Sequence, residues 1–459
     1  MVTVGTARVV IAGLSGDAGK TLVAVGLARA LRRRGLHVAP YKKGPDYIDA
    51  AWLAAAAGRP GRNLDTFLMP PEALGASLAR AGAADLILVE GNRGLHDGSD
   101  AQGTHSTAAL AKQLRAPVVL VVDATKATRT LAACVRGCAV IDPDLDLAGV
   151  ILNRVANARH ERVTRAAFES LGGPPVIGAL PKLGDDPLPS RHLGLVTAVE
   201  HEASELAIER AAATVAAHVD LEALLTVARR AEPAVFPAAG DETAPGAAVR
   251  IAVLRDEAFS FYEPENLEAL EQAGATIVEA SPLSSAALPD VDALYIGGGF
   301  PEVHAARLSG NDAFRRSVLA AANSGLPIYA ECGGLMYLAR ELRVGGQGYP
   351  MAGVLDLVVE QMARPQGHGY VEAVVDAANA FFPVGTRLRG HEFHYSRPLA
   401  GTAPASALRL ERGTGVGGGR DGFVSGTVWA SYLHLHALGT PEWARGVVAA
   451  ARRRIVASG

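Results

Sequence analysis

Short apolar runs rich in β-branched residues alternate along the whole chain with stretches rich in alanine and leucine. This alternation is typical of parallel β-sheets whose strands are joined by crossover helices. The predicted strands lie at 7–13, 85–91, 117–123, 147–153 and 175–181 in the first half and at 250–256, 275–281, 292–299 and 326–334 in the second. The pattern therefore predicts an α/β protein with two doubly wound domains.

One segment interrupts this alternation, residues 231–248, which read AEPAVFPAAGDETAPGAA. The segment is rich in Pro, Ala and Gly and has no periodicity, as expected of a linker. The 459 residues also exceed the size at which one hydrophobic core usually stops growing. We therefore predict a first domain at 1–230 and a second at 249–459.

Composition narrows the class of protein. With 49% hydrophobic residues, 20% charged residues and a net charge of −3, the chain resembles neither a disordered protein nor a nucleic-acid binder. No apolar run reaches the roughly 20 residues of a membrane helix, and the first residues lack the pattern of a signal peptide. We expect a cytoplasmic protein with no nucleic-acid or membrane partner.

The chain has three cysteines, too few for a disulfide framework, which fits a reducing compartment. Cys134 and Cys138 lie four residues apart in a predicted helix with no histidine nearby. We interpret these two as small buried residues rather than as metal ligands.

Residues 13–21, GLSGDAGKT, follow a predicted strand and precede an amphipathic helix that ends at Gly35. In this position the backbone N–H groups of a loop and the start of a helix point together at anionic oxygens. Gly13 stands one place farther from Gly19 than in the regular phosphate-loop pattern. The residues expected to bind nucleotide phosphates are Ser15, Gly16, Asp17, Ala18, Gly19, Lys20 and Thr21. The alternative is a glycine-rich turn with a lysine by chance.

The same loop predicts a magnesium ion, with the Thr21 hydroxyl as one ligand, because Mg²⁺ prefers oxygen ligands. Glu90 ends the predicted strand 85–91, at the edge where doubly wound sheets bind ligands. Asp46 lies in a loop after another probable strand. We expect Thr21, Asp46 and Glu90 to hold Mg²⁺; the alternative for either acid is an exposed loop residue.

In the second half, Cys332 stands in YAECGGL, between a predicted strand and a predicted helix. A thiol on such a turn would be exposed, and the helix start would favour its thiolate. The backbone N–H of Gly333 and the turn containing Gly298 and Gly299 could donate to an oxyanion. Cys332 is therefore the predicted nucleophile; the alternative is a structural cysteine.

A cysteine nucleophile also needs a base. The candidates are His391, His394, His434 and His436, in RGHEFHYSR and ASYLHLH. Spacing alone does not choose among these four histidines.

Several motifs occur in one order over nearly all of the chain, namely GLSGDAGKT, KKGPDYID, GRPGRNLD, VEGNRGLHDG, RPQGHGY, GHEFHYS and ASYLHLH. Together they resemble the cobyrinic acid or hydrogenobyrinic acid a,c-diamide synthase family. That family joins a dethiobiotin-synthetase-like ATP domain to a class I glutamine amidotransferase domain. The resemblance implies a P-loop NTPase-like parallel sheet followed by a flavodoxin-like glutaminase.

By this resemblance the catalytic histidine is His434. The family is described as lacking the acidic third member that other class I glutaminases carry two residues later, and this chain has His436 there. A Cys–His dyad without an orienting acid implies slow or partner-gated glutamine hydrolysis. Two departures from the family pattern are His96 in place of an aromatic residue and Thr427 in place of an asparagine.

The implied reaction is amidation of the a and c acetate carboxylates of a corrin ring. ATP and Mg²⁺ would convert each carboxylate to an acyl phosphate, and glutamine would supply ammonia. A polycarboxylate substrate suits cations, and the candidate contacts in the family motifs are Lys42, Tyr47, Arg59, Arg62 and Arg93. The alternative for each cation is a solvated surface residue. Asp97 is expected to position the acyl phosphate or ammonia, and a homodimer is expected by analogy alone.

The sequence leaves four rival functions, two of them within the amidotransferases. Cobyric acid synthase shares both domains but amidates other side chains, and KKGPDYID and GLHDG favour the a,c-diamide synthases over it. Nickel sirohydrochlorin a,c-diamide synthase is a closer rival, against which only the general bacterial character of the sequence argues. A partition-type ATPase would have a lysine in place of Ser15 and no Cys332 domain. A scaffold or sensor would bind nucleotide and have an inactive glutaminase half.

Overall fold

The computed structural model describes residues 1–184, 188, 190–191, 194–195, 204–238, 240, 246–399 and 404–458. The chain forms two compact units, Met1–Ala239 and Gly240–Gly459. Within the described residues, no helix combines the length and the apolar character that crossing a membrane requires.

The first unit contains a seven-stranded sheet in which every strand is parallel to its neighbours, in the order β4-β3-β5-β2-β6-β7-β8. The described strands are β1 (Val2–Val4), β2 (Arg8–Gly13), β3 (Val38–Lys43), β4 (Arg62–Leu64), β5 (Leu86–Glu90), β6 (Val118–Asp123), β7 (Leu147–Val155), β8 (Val176–Pro181), β9 (Ser190–Arg191), β10 (Gly194–Leu195) and β11 (Ala234–Phe236). The described helices are α1 (Lys20–Arg33), α2 (Tyr47–Ala57), α3 (Pro71–Ala79), α4 (Thr107–Gln113), α5 (Arg129–Ile141), α6 (Ala158–Ser170), α7 (Ser204–His218) and α8 (Leu221–Ala228).

The order of the central strands decides where the functional residues of this unit meet. Strand β5 lies between β2 and β3 in the sheet, so the carboxyl ends of all three strands are adjacent. Gly13 ends β2, Lys43 ends β3 and Glu90 ends β5. Every residue of these three strands is buried. The runs of β2 and β5 are mainly apolar, as expected of strands covered on both faces, whereas β3 ends in two buried lysines, Lys42 and Lys43.

Helix α1 packs closely against α7. A Cβ on Gly26 would lie 2.7 Å from the carbonyl oxygen of Ala211, so only glycine permits this approach. The helix carries Arg32 and Arg33 in its last turn, where cations complement the helix dipole.

The segment 231–248, interpreted as a linker, contributes a strand to the first unit. Strand β11, at 234–236, pairs antiparallel with β1 at the start of the chain. Residues 239 and 241–245 of the segment lie outside the described part of the structure.

The second unit contains a ten-stranded sheet in the order β13-β12-β14-β15-β24-β23-β22-β19-β20-β25 and a four-stranded sheet in the order β17-β16-β18-β21. Its described strands are β12 (Val249–Leu254), β13 (Ala275–Ala280), β14 (Ala293–Ile296), β15 (Ile328–Glu331), β16 (Ala339–Val344), β17 (Gln347–Pro350), β18 (Leu355–Gln361), β19 (Gly367–Val375), β20 (Arg387–His394), β21 (Ser396–Pro398), β22 (Ala405–Arg412), β23 (Arg420–Ser425), β24 (Val428–Ser431) and β25 (His434–Leu435). Its described helices are α9 (Pro264–Gln272), α10 (Ala305–Gly310), α11 (Asp312–Asn323), α12 (Gly333–Leu338) and α13 (Glu442–Ser458).

Five strands of the large sheet, β13-β12-β14-β15-β24, are mutually parallel. Numbered along the chain, their order is 2-1-3-4-5, the flavodoxin-like order. The remaining five strands continue the sheet in antiparallel fashion. This extension places β25 at the edge of the sheet, where His434 stands opposite His391 of β20.

The interpretation of Cys134 and Cys138 as buried residues is wrong. Cys134 is exposed and Cys138 is half-buried on α5. The buried face of α5 consists of Leu131, Ala132 and Val135, so the two cysteines lie on the face that points away from the core.

Candidate active site

The phosphate loop of the first unit turns sharply into α1. Gly19 precedes the helix with a φ of 92°, a left-handed conformation that glycine adopts without steric cost. The Lys20 ammonium crosses back over the loop and donates to the carbonyl oxygen of Ser15 at 3.2 Å. A Cβ on Gly13 would lie 2.9 Å from Lys20 Nζ, so the first glycine makes room for this lysine.

The loop has the charge and the open space that phosphate groups require. Ser15, Gly16 and Asp17 are exposed, and a Cβ on Gly16 would meet no atom within 4 Å. Burial, and after it the charge of Lys42, lowers the pKa of Lys20. An anion next to Lys20 would offset both effects, so the loop fits a nucleotide phosphate.

Thr21 and Glu90, two of the three predicted magnesium ligands, are in contact. The Thr21 hydroxyl donates to Glu90 Oε1 at 2.7 Å. Glu90 is fully buried, and its Oε2 atom has no hydrogen-bond partner within the described structure. Burial raises the pKa of Glu90, and Lys42 opposes that rise. A cation beside Oε2 would satisfy this oxygen and favour the ionised carboxylate, so the donor set fits Mg²⁺.

Asp46, the third predicted ligand, has a structural role that the sequence did not reveal. Its Oδ1 atom caps α2 by accepting from the backbone N–H groups of Ile48 and Asp49, at 3.0 Å and 2.9 Å. Burial, and after it the charge of Asp49, raises the pKa of Asp46 to about 7. Asp46 lies close enough to Glu90 for the two charges to interact.

Lys42 lies at the nucleotide end of the site. Its ammonium is 2.6 Å from Asp49 Oδ2 and 2.9 Å from Glu90 Oε1, and it donates to the carbonyl oxygen of Gly91 at 3.1 Å. Burial lowers the pKa of Lys42, but the two carboxylates outweigh burial and raise it overall. The side chain is only 2% exposed, so the predicted contact with a corrin carboxylate is not supported.

Three other predicted substrate residues are held by the protein to different degrees. Tyr47 is half-buried at the start of α2. Arg59 donates from Nη2 to the carbonyl oxygen of Ala81 at 2.8 Å. Arg62 is buried on β4, opposite Tyr41 of β3.

The loop after β5 carries Arg93 and Asp97, and both are exposed. Asp97 Oδ2 accepts from the backbone N–H of Gly94 at 2.9 Å and so closes a turn. The N–H of Leu95 donates to the carbonyl oxygen of Gly13 at 2.8 Å, which ties this turn to the phosphate loop. Arg93 and Asp97 therefore stand at the sheet edge that carries the phosphate loop.

Two residues that sequence reasoning missed also contact the phosphate loop. Asn153 Nδ2 donates to the carbonyl oxygen of Ala18 at 3.0 Å, and Arg154 Nη1 donates to that of Asp17 at 2.9 Å. Asn153 and Arg154 belong to β7, in the predicted strand run LAGVILN and just after it. An amide and a guanidinium at the carboxyl end of a parallel strand were the available signal.

In the second unit, Cys332 occupies the turn between β15 and α12, as predicted. Its backbone has a φ of 48° and a ψ of −97°, a strained combination for a residue other than glycine. Its N–H donates to the carbonyl oxygen of Ser431 at 2.7 Å, which fixes the turn against the end of β24.

The expectation that Cys332 is an exposed thiolate is wrong for the free protein. The residue is 6% exposed. Burial, and after it the negative charge of Glu302, raises the pKa of the Cys332 thiol. Helix α12 has only six residues, so its dipole is weak, and the thiol is protonated until a base removes its proton.

The glycines of the predicted oxyanion site converge on this turn. A Cβ on Gly333 would lie 3.1 Å from the backbone nitrogen of Gly299 and 3.4 Å from the carbonyl carbon of Gly298. A Cβ on Gly298 would lie 2.7 Å from Cε1 of His434. The structure thus brings Gly298, Gly299, Gly333 and His434 together beside Cys332.

The four candidate histidines differ in their surroundings. The ring of His434 lies against Gly298 and stacks on the ring of His391, with 4.9 Å between the ring centroids. Burial, and after it the charge of His434, lowers the pKa of His391, which favours a neutral ring. His394 stacks on Tyr432 with a centroid distance of 3.6 Å. Of the four histidines, His434 is favoured as the base because its ring lies against Gly298, next to the Cys332 turn.

His436 faces two carboxylates, those of Glu263 and Glu265. The ligand atoms of Glu263, Glu265 and His436 all lie within 4.8 Å of one another, and all three residues are buried. His436 Nδ1, however, accepts from the backbone N–H of Leu438 at 3.2 Å. A neutral ring then carries its proton on Nε2, the nitrogen that faces Glu265, so this geometry argues against metal binding.

Comparison with known proteins agrees with a nucleotide-binding first unit and a glutaminase second unit. Residues 250–442 match the family model of the CobB/CobQ-like glutamine amidotransferase domain, and residues 9–195 match that of the CobQ/CobB/MinD/ParA nucleotide binding domain. The chain is 42% identical over 445 residues to the cobyrinate a,c-diamide synthase of Magnetococcus marinus, a match that covers 95% of each chain.

Two further relatives match over nearly their whole length. The chain is 42% identical over 451 residues to the cobyrinate a,c-diamide synthase of Archaeoglobus fulgidus, covering 97% of this chain and 98% of the relative. It is 43% identical over 481 alignment positions to the hydrogenobyrinate a,c-diamide synthase of Streptomyces coelicolor, covering 96% of each chain.

Proposed function

Since the chain belongs to the cobyrinate a,c-diamide synthase family, we propose that it amidates the a and c acetate carboxylates of cobyrinic or hydrogenobyrinic acid. It is an ATP-dependent glutamine amidotransferase with a nucleotide-binding domain. The observation that carries the proposal is the presence in one chain of two sites: a phosphate loop crossed by Lys20, and a Cys332 turn that packs beside Gly298, the glycine next to the His434 ring.

The first unit would activate the substrate. A carboxylate does not react with ammonia unaided, because its oxygen is a poor leaving group. Transfer of the terminal phosphoryl group of ATP to a carboxylate oxygen gives an acyl phosphate and ADP. Lys20 stabilises the charge that builds on the transferred group. Thr21 and Glu90 would hold Mg²⁺, with Asp46 beside them, and the ion would neutralise phosphate charge.

The second unit would supply the nitrogen. The Cys332 sulfur attacks the amide carbon of glutamine while the thiol proton passes to His434. The protonated His434 returns this proton to the amide nitrogen, and the C–N bond breaks to release NH₃. Water then hydrolyses the glutamyl thioester to glutamate. The backbone N–H of Gly333 and the turn of Gly298 and Gly299 would donate to the oxyanion.

For the corrinoid, the best-supported contacts are Arg93 and Asp97, because both face solvent next to the phosphate loop. Arg93 would bind a carboxylate in bidentate fashion, and Asp97 would position the acyl phosphate or ammonia. Tyr47, Arg59 and Arg62 remain predicted contacts. Lys42 is better assigned to the phosphate and magnesium end of the site.

Other features remain predictions. They are the domain limits of 1–230 and 249–459, a cytoplasmic location and a homodimer. The match of the second half to a glutamine amidotransferase domain argues against a partition-type ATPase.

Mass spectrometry tests the proposal. The protein is incubated with cobyrinic or hydrogenobyrinic acid, ATP, Mg²⁺ and glutamine, and two successive amidations are expected. Cys332→Ala should abolish amidation with glutamine and preserve it with ammonia. Absence of amidation with both nitrogen sources would refute the proposal. If the protein instead amidates only a substrate whose a and c side chains are already amides, the activity is that of cobyric acid synthase.

A further inference from the structure

A buried carboxylate stands directly before the nucleophile. Glu331 is the last residue of β15, is 0% exposed and precedes Cys332 in the chain. Its Oε2 atom lies 3.4 Å from Nδ1 of His434.

The Glu331 carboxylate is held in place by two other groups. Oε1 accepts from the backbone N–H of Leu435 at 3.3 Å, next to His434 on β25. Oε2 also accepts from the hydroxyl of Tyr295 at 3.3 Å. The acid is thus fixed against the strand that carries the histidine.

We propose that Glu331 is the positioning residue for His434, replacing the acid that is missing two residues after the histidine. The inference rests on the proposed roles of Cys332 and His434. A carboxylate at Nδ1 keeps the proton of the neutral imidazole on Nδ1 and leaves the Nε2 lone pair to act as base. When Nε2 takes the thiol proton, the same carboxylate stabilises the imidazolium.

A second buried acid, Glu265, is the rival. It lies near His436, which occupies the place where other class I glutaminases carry the acid. Its Oε2 atom is 4.0 Å from Nε2 of His436, however, and that contact does not involve the ring of His434. The ring stacked on His434 belongs to His391, whose burial favours its neutral form. Since Glu331 Oε2 lies 3.4 Å from Nδ1 of His434 itself, the geometry favours Glu331.

The position of Glu331 has a second consequence. Its negative charge contributes, after burial and Glu302, to the raised pKa of the Cys332 thiol. A conventional acid two residues after the histidine is not adjacent in sequence to the thiol. The same carboxylate would therefore orient the base and disfavour a free thiolate before glutamine binds.

The test replaces Glu331 in the full-length protein with the isosteric Gln. We expect kcat for glutamine hydrolysis to fall at least about 10-fold with little change in KM, because the base loses its orientation. Ammonia-driven amidation should be unchanged. ¹⁵N NMR of labelled histidine, with His434 assigned from a His434→Gln variant, should show the Nδ1–H tautomer in the wild type and a gain of the Nε2–H tautomer in Glu331→Gln.

Glu265→Gln is the matched control, since it neutralises another fully buried carboxylate of the same unit. We expect this variant to keep the wild-type kcat and tautomer. If Glu331→Gln keeps the wild-type kcat and tautomer, the inference is overturned; if, in addition, Glu265→Gln loses them, the role passes to Glu265. If Glu331→Gln fails to fold, Glu331→Asp gives the same readout, because its shorter side chain withdraws the charge from Nδ1. Glutamine hydrolysis that survives Cys332→Ala would refute the proposed function instead.

Discussion

At the scale of the residue, Gly298 shows how little room surrounds the proposed base. A Cβ at this position would lie 2.7 Å from Cε1 of His434 and 3.3 Å from Phe261. Gly298→Ala should therefore displace His434 and lower kcat for glutamine hydrolysis by at least about 10-fold. Ammonia-driven amidation should persist. Gly310→Ala is the control, because a Cβ there meets nothing within 4 Å; equal losses in both variants would contradict this account.

Lys20 carries the corresponding prediction for the first unit. Its ammonium is the charge that crosses the phosphate loop. Lys20→Ala should abolish amidation with glutamine and with ammonia alike, because no acyl phosphate forms without transition-state charge stabilisation. The measurement is corrinoid amidation with each nitrogen source. The exposed Lys112 supplies a control of the same residue type, and full activity of Lys20→Ala would rule out this role.

Asp421 predicts a pH dependence of stability. Burial raises its pKa to about 6 from 3.8, although the N–H groups of Gly422 and Tyr432 oppose the rise. A raised pKa means that the folded state binds the proton more tightly than the unfolded chain does. The contribution of protonated Asp421 to the free energy of unfolding is therefore complete below about pH 4 and is lost as the pH rises through about 6.

The comparison variant is Asp421→Asn, which does not titrate. Between pH 4 and 7, the free energy of unfolding of the wild type relative to this variant should fall by up to about 3 kcal/mol. Urea unfolding in a Trp52→Phe background measures it, because the fluorescence of the buried Trp429 and Trp443 then reports the second unit. A difference that does not change with pH would show that Asp421 is not protonated when folded.

At the scale of the element, the start of α9 fixes the strand that carries the base. Asn266 Nδ2 donates to the carbonyl oxygen of Leu435 at 2.9 Å, and its Oδ1 accepts from the N–H of Ala437 at 2.7 Å. Asn266→Ala leaves two buried backbone groups without partners, at about 1–3 kcal/mol each. Chemical denaturation should show this loss, together with a lower kcat for glutamine hydrolysis.

The exposed Asn323, at the end of α11, is the control for Asn266. Asn323→Ala should change neither quantity. A stable Asn266→Ala protein with wild-type hydrolysis would contradict the view that α9 positions β25.

Strands were predicted from sequence where the pattern of apolar residues was long enough to indicate one kind of element. The continuous apolar runs became β2, β5 and β6, because strands buried on both faces need apolar residues throughout. Strand β4 has three residues, and β25 has two, so neither shows a period. Their strand character depends on neighbours that are distant in the sequence.

For the site, the order of the motifs was enough to locate the nucleophile turn and the phosphate loop. It did not show which charged side chains pair with one another. Lys42 and Glu331 illustrate the limit. A lysine in a substrate-like motif became a buried ion pair, and an acid adjacent to the nucleophile approached a histidine about 100 residues away. Such pairings follow from sheet topology, here from β15 lying beside β24, which precedes β25.

At the scale of the whole molecule, the chain carries two chemistries that depend on different residues. Lys20 belongs to the unit Met1–Ala239 and Cys332 to the unit Gly240–Gly459. Cys332→Ala should retain ammonia-driven amidation, and Lys20→Ala should retain glutamine hydrolysis. Loss of both activities in either variant would indicate that one unit requires the other to be intact.

Mixing these two variants tests how nitrogen passes between the chemistries. Ammonium is not a nucleophile at neutral pH, so ammonia that stays within one protein molecule has an advantage over ammonia released into water. An equimolar mixture of Lys20→Ala and Cys332→Ala with glutamine should therefore amidate the corrinoid far more slowly than the same amount of wild type. Glutamate dehydrogenase, added with 2-oxoglutarate and NADPH to consume free ammonia, should stop amidation by the mixture and leave that by the wild type unaffected. A wild-type reaction that the scavenger also stops would mean that ammonia leaves the protein before it reacts.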